Sequence, residues 1–118
     1  MNAQLNRAAG VIVALLLSAA AAHAAGMLAA KNGMTLYTFD KDKDGVSACY
    51  DECAAMWPPY VGKEGETMEK DWTLVKRTDG TMQWAYDGKP LYFYKDDTKA
   101  GDAKGDGMND VWHVVKED

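Results

Sequence analysis

The chain has 118 residues, room for one domain, and its 47% hydrophobic, 26% charged and 10% aromatic composition is that of a globular protein. A net charge of −5 leaves no basic surface for a nucleic-acid backbone and equally disfavours an anionic membrane surface.

Residues 1–24 have the three parts of an export signal: Arg7 in a short polar start, an apolar run from Ala8 to Ala22, and the small-residue site Ala22-His23-Ala24. Cleavage after Ala24 is expected, with residues 25–118 as the mature domain, periplasmic or secreted. The strongly apolar stretch Val11 to Leu17 is well short of the ~20 residues a membrane span needs. No Cys stands at its end to take a lipid anchor, and no other stretch could span a bilayer. A soluble monomer is the expectation. His23 leaves with the leader, so His113 is the one remaining histidine. That excludes a multi-histidine zinc site and leaves a Ser/His/Asp triad with a single candidate.

In the mature region the chain repeats itself. Gly33, Leu36, Tyr37, Phe39, Asp42 and Trp57 recur as Gly88, Leu91, Tyr92, Tyr94, Asp97 and Trp112, each 55 positions later without a gap. An ungapped register carrying Trp and Tyr points to a duplicated unit, about 27–60 and 82–115, whose two copies share one core with pseudo-twofold symmetry.

Each copy opens on a hairpin signal. Asn32-Gly33 and Asp87-Gly88 suit a two-residue turn, between Met27-Leu28 and Leu36 to Phe39 in one copy and between Gln83 to Tyr86 and Leu91 to Tyr94 in the other. Asp79-Gly80 joins Trp72 to Val75 with Met82 to Trp84 as a third hairpin, and Val111 to Val115 closes the chain as a last strand. Only Ser47 to Met56 reads as a short helix, stopped by Pro58 and Pro59. The expected fold is mainly β, with a small α+β arrangement as the variant: antiparallel hairpins from two pseudo-symmetric repeats plus one helix.

Tyr37-x-Phe39-x-x-Asp42 and Tyr92-x-Tyr94-x-x-Asp97 resemble the Y-x-[FWY]-x-x-D motif of a bacterial family of secreted and lipoprotein repeats of unknown function. Ser47-x-Cys49-x-x-x-Cys53-Ala54-x-x-Trp57-Pro58-Pro59 is similar to that family's stretch after the first motif. Gly101-Asp102, Gly105-x-Gly107 and Trp112-His113-Val114-Val115 match the stretch after the second. The resemblance implies an exported compartment and this architecture. It implies no activity, and the missing lipid-anchor cysteine separates this chain from many relatives.

Cys49 and Cys53 are the only cysteines, and four apart in an oxidising compartment they are expected to form a disulfide. A redox pair or a soft-metal thiolate pair is the rival reading. Asp40-x-Asp42-x-Asp44-Gly45 matches the first half of an EF-hand loop, where alternating carboxylates turn oxygens toward Ca²⁺. The twelfth position holds Asp51, shorter than the bidentate Glu found there, and the preceding segment reads as strand. A second acidic stretch, from Asp96 to Asp110, follows the second motif, although lysines interleave both loops. Met108 and His113 raise Cu(I) ligation, but the methionines are scattered, which favours packing. Leu36, Phe39, Trp57 and their counterparts read as core, while Tyr37 and Tyr92, on the opposite strand face, read as surface. The function expected is therefore a non-enzymatic binding or envelope-associated module with an envelope or extracellular partner and no cofactor. A Ca²⁺-stabilised structural domain and a periplasmic redox or copper protein are the alternatives.

Overall fold

The structure is a computed structural model that describes residues 26–117. The expected leader, residues 1–24, lies outside the described residues. Strands β1 (Tyr37–Phe39), β2 (Val61–Gly62), β3 (Trp72–Lys76), β4 (Met82–Tyr86), β5 (Lys89–Pro90) and β6 (Trp112–Val114) accompany one short helix, α1 (Glu52–Met56), and a 3₁₀ turn at Met108–Asp110. The protein is thus a small mainly β domain of two antiparallel sheets. One pairs β1 with β6, placing Tyr37 opposite Val114 and Phe39 opposite Trp112; the other has the order β2-β4-β3, with β5 also on β4.

The hairpins form where the turn dipeptides stand. Asp87 and Gly88 link β4 to β5 with φ of 52° and 82°, a region that costs Gly nothing and Asp little. Asp79 and Gly80 link β3 to β4, and the Asp79 carboxylate fixes the turn by accepting from both the amide and the hydroxyl of Thr81. The first hairpin departs from the expected two-residue turn: three residues, Lys31, Asn32 and Gly33, lie between Ala30 and Met34, only Gly33 of them at positive φ, and the pairing is reduced to a bridge between Ala29 and Thr35.

The helix is shorter than its sequence pattern. It starts at Glu52 rather than Ser47, because Ser47 and Cys49 are held by long-range hydrogen bonds and Asp51 has φ of 54°. The disulfide between Cys49 and Cys53 spans 5.2 Å between Cα atoms and ties the loop to the first turn of α1.

Strand pairing is exchanged between the two halves. The stretch after Trp57 pairs with the second hairpin: Phe93 donates to the Pro58 carbonyl at 2.7 Å, Tyr60 to Leu91 at 3.0 Å and Trp84 to Tyr60 at 2.8 Å. The stretch after Trp112 pairs in the same way with the first hairpin, through β1–β6 and through Leu28 donating to Val115 at 2.8 Å. Tyr37 and Tyr92, 55 apart, exchange backbone hydrogen bonds at 2.8 and 3.0 Å, so the pseudo-twofold axis passes between them.

Two hydrophobic clusters lie on either side of this seam. Tyr37, Cys49, Trp57, Tyr92, Tyr94 and Trp112 form one; Leu28, Ala30, Leu36, Trp84 and Leu91 form the other. The expectation that Tyr37 and Tyr92 face solvent is wrong, since both are fully buried. Alternation does put Leu36 and Tyr37 on opposite faces, but each face meets its own cluster.

Candidate functional site

The motif residues converge on the axis and bond across it. The Tyr37 hydroxyl donates to Asp97 Oδ2 at 2.7 Å and the Tyr92 hydroxyl to Asp42 Oδ2 at 2.8 Å, so each motif tyrosine holds the other copy's motif aspartate. The remaining carboxylate oxygens close the loops that follow: Asp42 Oδ1 accepts from the Ala48 amide at 2.7 Å and Asp97 Oδ1 from the Lys104 amide at 2.9 Å. The rings obey the same exchange. Phe39 stacks on Trp112 at 4.1 Å, Trp112 on Trp57 at 3.9 Å and Trp57 on Tyr94 at 4.4 Å, a four-ring column with the axis at its middle. Gly105 permits the close approach, since a Cβ there would lie 2.5 Å from the Trp57 ring.

Burial dominates the electrostatics of this centre. Burial is the main cause that pushes both phenols above the ordinary tyrosine range, and the carboxylates of Asp97 and Asp42 add to it. Burial likewise raises Asp42, against the opposing pull of the Ala48 amide, the Tyr92 hydroxyl and Arg77. Sequence reasoning missed Arg77, which is buried and directly follows β3 as an ordinary-looking basic residue before a turn. Its guanidinium donates to Ser47 Oγ at 3.1 Å, Gln83 Oε1 at 2.8 Å and the Cys49 carbonyl at 2.7 Å, and lies 4.2 Å from the centre of the Tyr50 ring. Because the Tyr92 proton points to Asp42, the Ser47 hydroxyl donates to Tyr92 at 2.6 Å. Arg77 and Asp42 are thereby joined through two hydroxyls instead of a direct ion pair.

The EF-hand-like carboxylates do not converge. Asp40 pairs with His113 at 2.8 Å, Asp42 turns inward, and Asp44 stands at the surface with φ of 54°. Among the described residues no group of three or more His, Cys, Asp or Glu is placed to hold a metal ion. His113 is occupied by Asp40 and Met108 packs against the first cluster, so the geometry does not bring the two together as ligands. Ser47 is engaged with Tyr92 and Arg77, away from the Asp40–His113 pair, and both cysteines are spent in the disulfide.

What the motif loop does present is a cleft. Asp40, Asp42, Asp44 and Asp87, with Lys89 and Phe39, line a half-open space of about 410 Å³ between the Asp40–Gly45 loop and the Asp87-Gly88 turn. At the counterpart positions of the other copy stand Lys95 for Asp40, Lys99 for Asp44 and Asn32 for Asp87. A separate space of about 280 Å³ beside Gly33, Thr35 and Ala100 is lined also by Met27, Leu28, Ala29 and Gly101, and is mostly apolar.

A family of secreted repeats of unknown function matches the chain over residues 20–60 and 73–116. The chain belongs to this family. Its two matched segments each contain one motif and one half of the swapped core, so the family repeat is the unit that cannot close its own strand pairing. Neither the curated proteins nor the solved structures provide a match. Among the described residues no helix is long and apolar enough to cross a membrane.

Proposed function

We propose that the protein is an exported, non-enzymatic binding module that takes a cationic segment of an envelope or extracellular partner into the acidic cleft. On this reading residues 1–24 are a leader removed after Ala24, and residues 25–118 work outside the cytoplasm as one monomeric domain of two repeats, about 27–60 and 82–115. The observation that carries it is the cleft between the Asp40–Gly45 loop and the Asp87-Gly88 turn, whose acidic side chains have no acidic counterpart at Lys95, Lys99 and Asn32. Exposed loops at counterpart positions in one molecule hold Asp40, Asp44 and Asp87 on one side and Lys95, Lys99 and Asn32 on the other, so the acidic side chains belong to one copy alone. Family membership supports the exported compartment. The buried state of the motif tyrosines and the spent cysteines support a scaffold role for the motif itself.

Titration calorimetry with an oligolysine peptide tests this. Saturable binding should weaken as salt rises, because the screening length falls from ~10 Å at 0.1 M to ~3 Å at 1 M. Grafting the counterpart residues, Asp44→Lys with Asp87→Asn, should remove it while leaving the melting temperature near that of the parent, both side chains being exposed. Equal binding by the grafted variant would refute the cleft as the site.

A further inference from the structure

The swapped symmetry also shows a place where the molecule is incomplete. Trp84 and Leu28 are equivalent, because each donates to the returning strand of the other copy, at Tyr60 and Val115, and each accepts from the strand that follows its own turn, from Leu91 at 2.9 Å and Leu36 at 3.1 Å. Gln83 and Ala85 therefore correspond to Met27 and Ala29. Gln83 and Ala85 turn their backbone groups outward to β3, where they face Val75 and Thr73. Met27 and Ala29 sit at the non-hydrogen-bonded positions of their bridges to Lys116 and Thr35, so their N–H and C=O groups point the same way, and among the described residues nothing pairs with them.

We propose that the outer edge of Met27–Ala30 is a docking site for an extended segment of a partner protein, which adds antiparallel as the missing counterpart of β3. The molecule itself shows what fits, since the equivalent edge is covered by Trp72–Lys76, a strand of alternating character. The edge carries none of the usual protection: Met27-Leu28-Ala29-Ala30 has no charge, no proline and no bulge residue. Space adjoins it, because the apolar cavity of about 280 Å³ is walled by Met27, Leu28, Ala29, Ala100 and Gly101. On the other edge, Arg77 follows β3 and tucks in against Ser47, Cys49 and Gln83. The proposal thus assigns main-chain pairing to Met27 and Ala29 and side-chain selection to the apolar cavity, independently of the acidic cleft.

The test uses the processed protein and a synthetic peptide with the sequence of residues 70–78, whose β3 portion is the internal template. Amide exchange followed by NMR should show Met27 and Ala29 slowed on peptide addition, with β4 amides unchanged. Ala29→Pro removes one outward N–H and should weaken peptide affinity by roughly five-fold or more, the worth of a main-chain hydrogen bond. A peptide N-methylated at the residues corresponding to Thr73 and Val75 should not bind, which keeps the test intact if Ala29→Pro folds poorly. Three results would overturn the proposal: unprotected Met27 and Ala29 amides at millimolar peptide, peptide exchange with β3 at β4, or a concentration-dependent dimer in sedimentation that protects the same edge without peptide. Oligolysine binding unaffected by the β3 peptide separates this result from that for the acidic cleft.

Discussion

The exchanged tyrosine–aspartate pairs make a quantitative demand that a surface motif would not. Tyr37→Phe deletes a hydroxyl that donates to Asp97 at 2.7 Å and accepts from the Gly105 amide at 3.2 Å, both in the interior. A hydrogen bond to a charged group contributes about 1.5–3 kcal/mol, and a buried donor left unpaired costs about 1–3 kcal/mol, so the substitution should cost about 2.5–6 kcal/mol. That is a large part of the ~5–15 kcal/mol that holds a domain of this size. The partner is identified by a double-mutant cycle with Asp97→Ala in urea unfolding, where the coupling should be about 1.5–3 kcal/mol. Tyr37→Phe paired with Asp42→Ala should show far less coupling, because Asp42 belongs to Tyr92. A Tyr37–Asp97 coupling below about 0.5 kcal/mol would refute the exchange across the axis.

Gly105→Ala should cost about 1–3 kcal/mol, because its Cβ would press on Trp57 at 2.5 Å and on Tyr94 at 3.0 Å. Gly65→Ala, with open space around it and only its φ of 86° to strain, should cost less by thermal melting. Leu36→Ala and Leu91→Ala should each cost about 2–5 kcal/mol by the same assay, since both are fully buried at equivalent sites; a neutral result at either would contradict the shared core. The raised phenols fix a pH dependence. Above the ordinary tyrosine value of 10.0 the unfolded chain ionises before the folded one, so Tyr37 and Tyr92 make stability fall as pH rises beyond that point. Denaturation measured from pH 9 upward should show that fall, and it should be shallower in Tyr92→Phe.

The turn dipeptides and the 55-residue register were legible because they depend on local backbone preference and on direct comparison of the chain with itself. The disulfide was legible from spacing and compartment. The burial of Tyr37 and Tyr92 was not, because strand alternation separates two faces without saying whether either meets water. The exchange of returning strands was equally hidden: a register of 55 is the same whether Trp57-Pro58-Pro59 packs on its own hairpin or on the other. Ser47 read as the start of a helix because its bonds to Arg77 and Tyr92 come from 30 and 45 residues away. The acidic loop was found for the wrong geometry, since its carboxylates spread along a cleft wall instead of meeting at one point.

The most direct measurement is a chemical-shift titration of the labelled protein with the oligolysine peptide, because the counterpart loops of the other copy give it an internal control. The account predicts saturable shifts at the amides of residues 40–45 and 87–89, with those of residues 32–35 and 95–101 unmoved. Shifts spread over both sets of loops alike, or none at millimolar peptide, would contradict it.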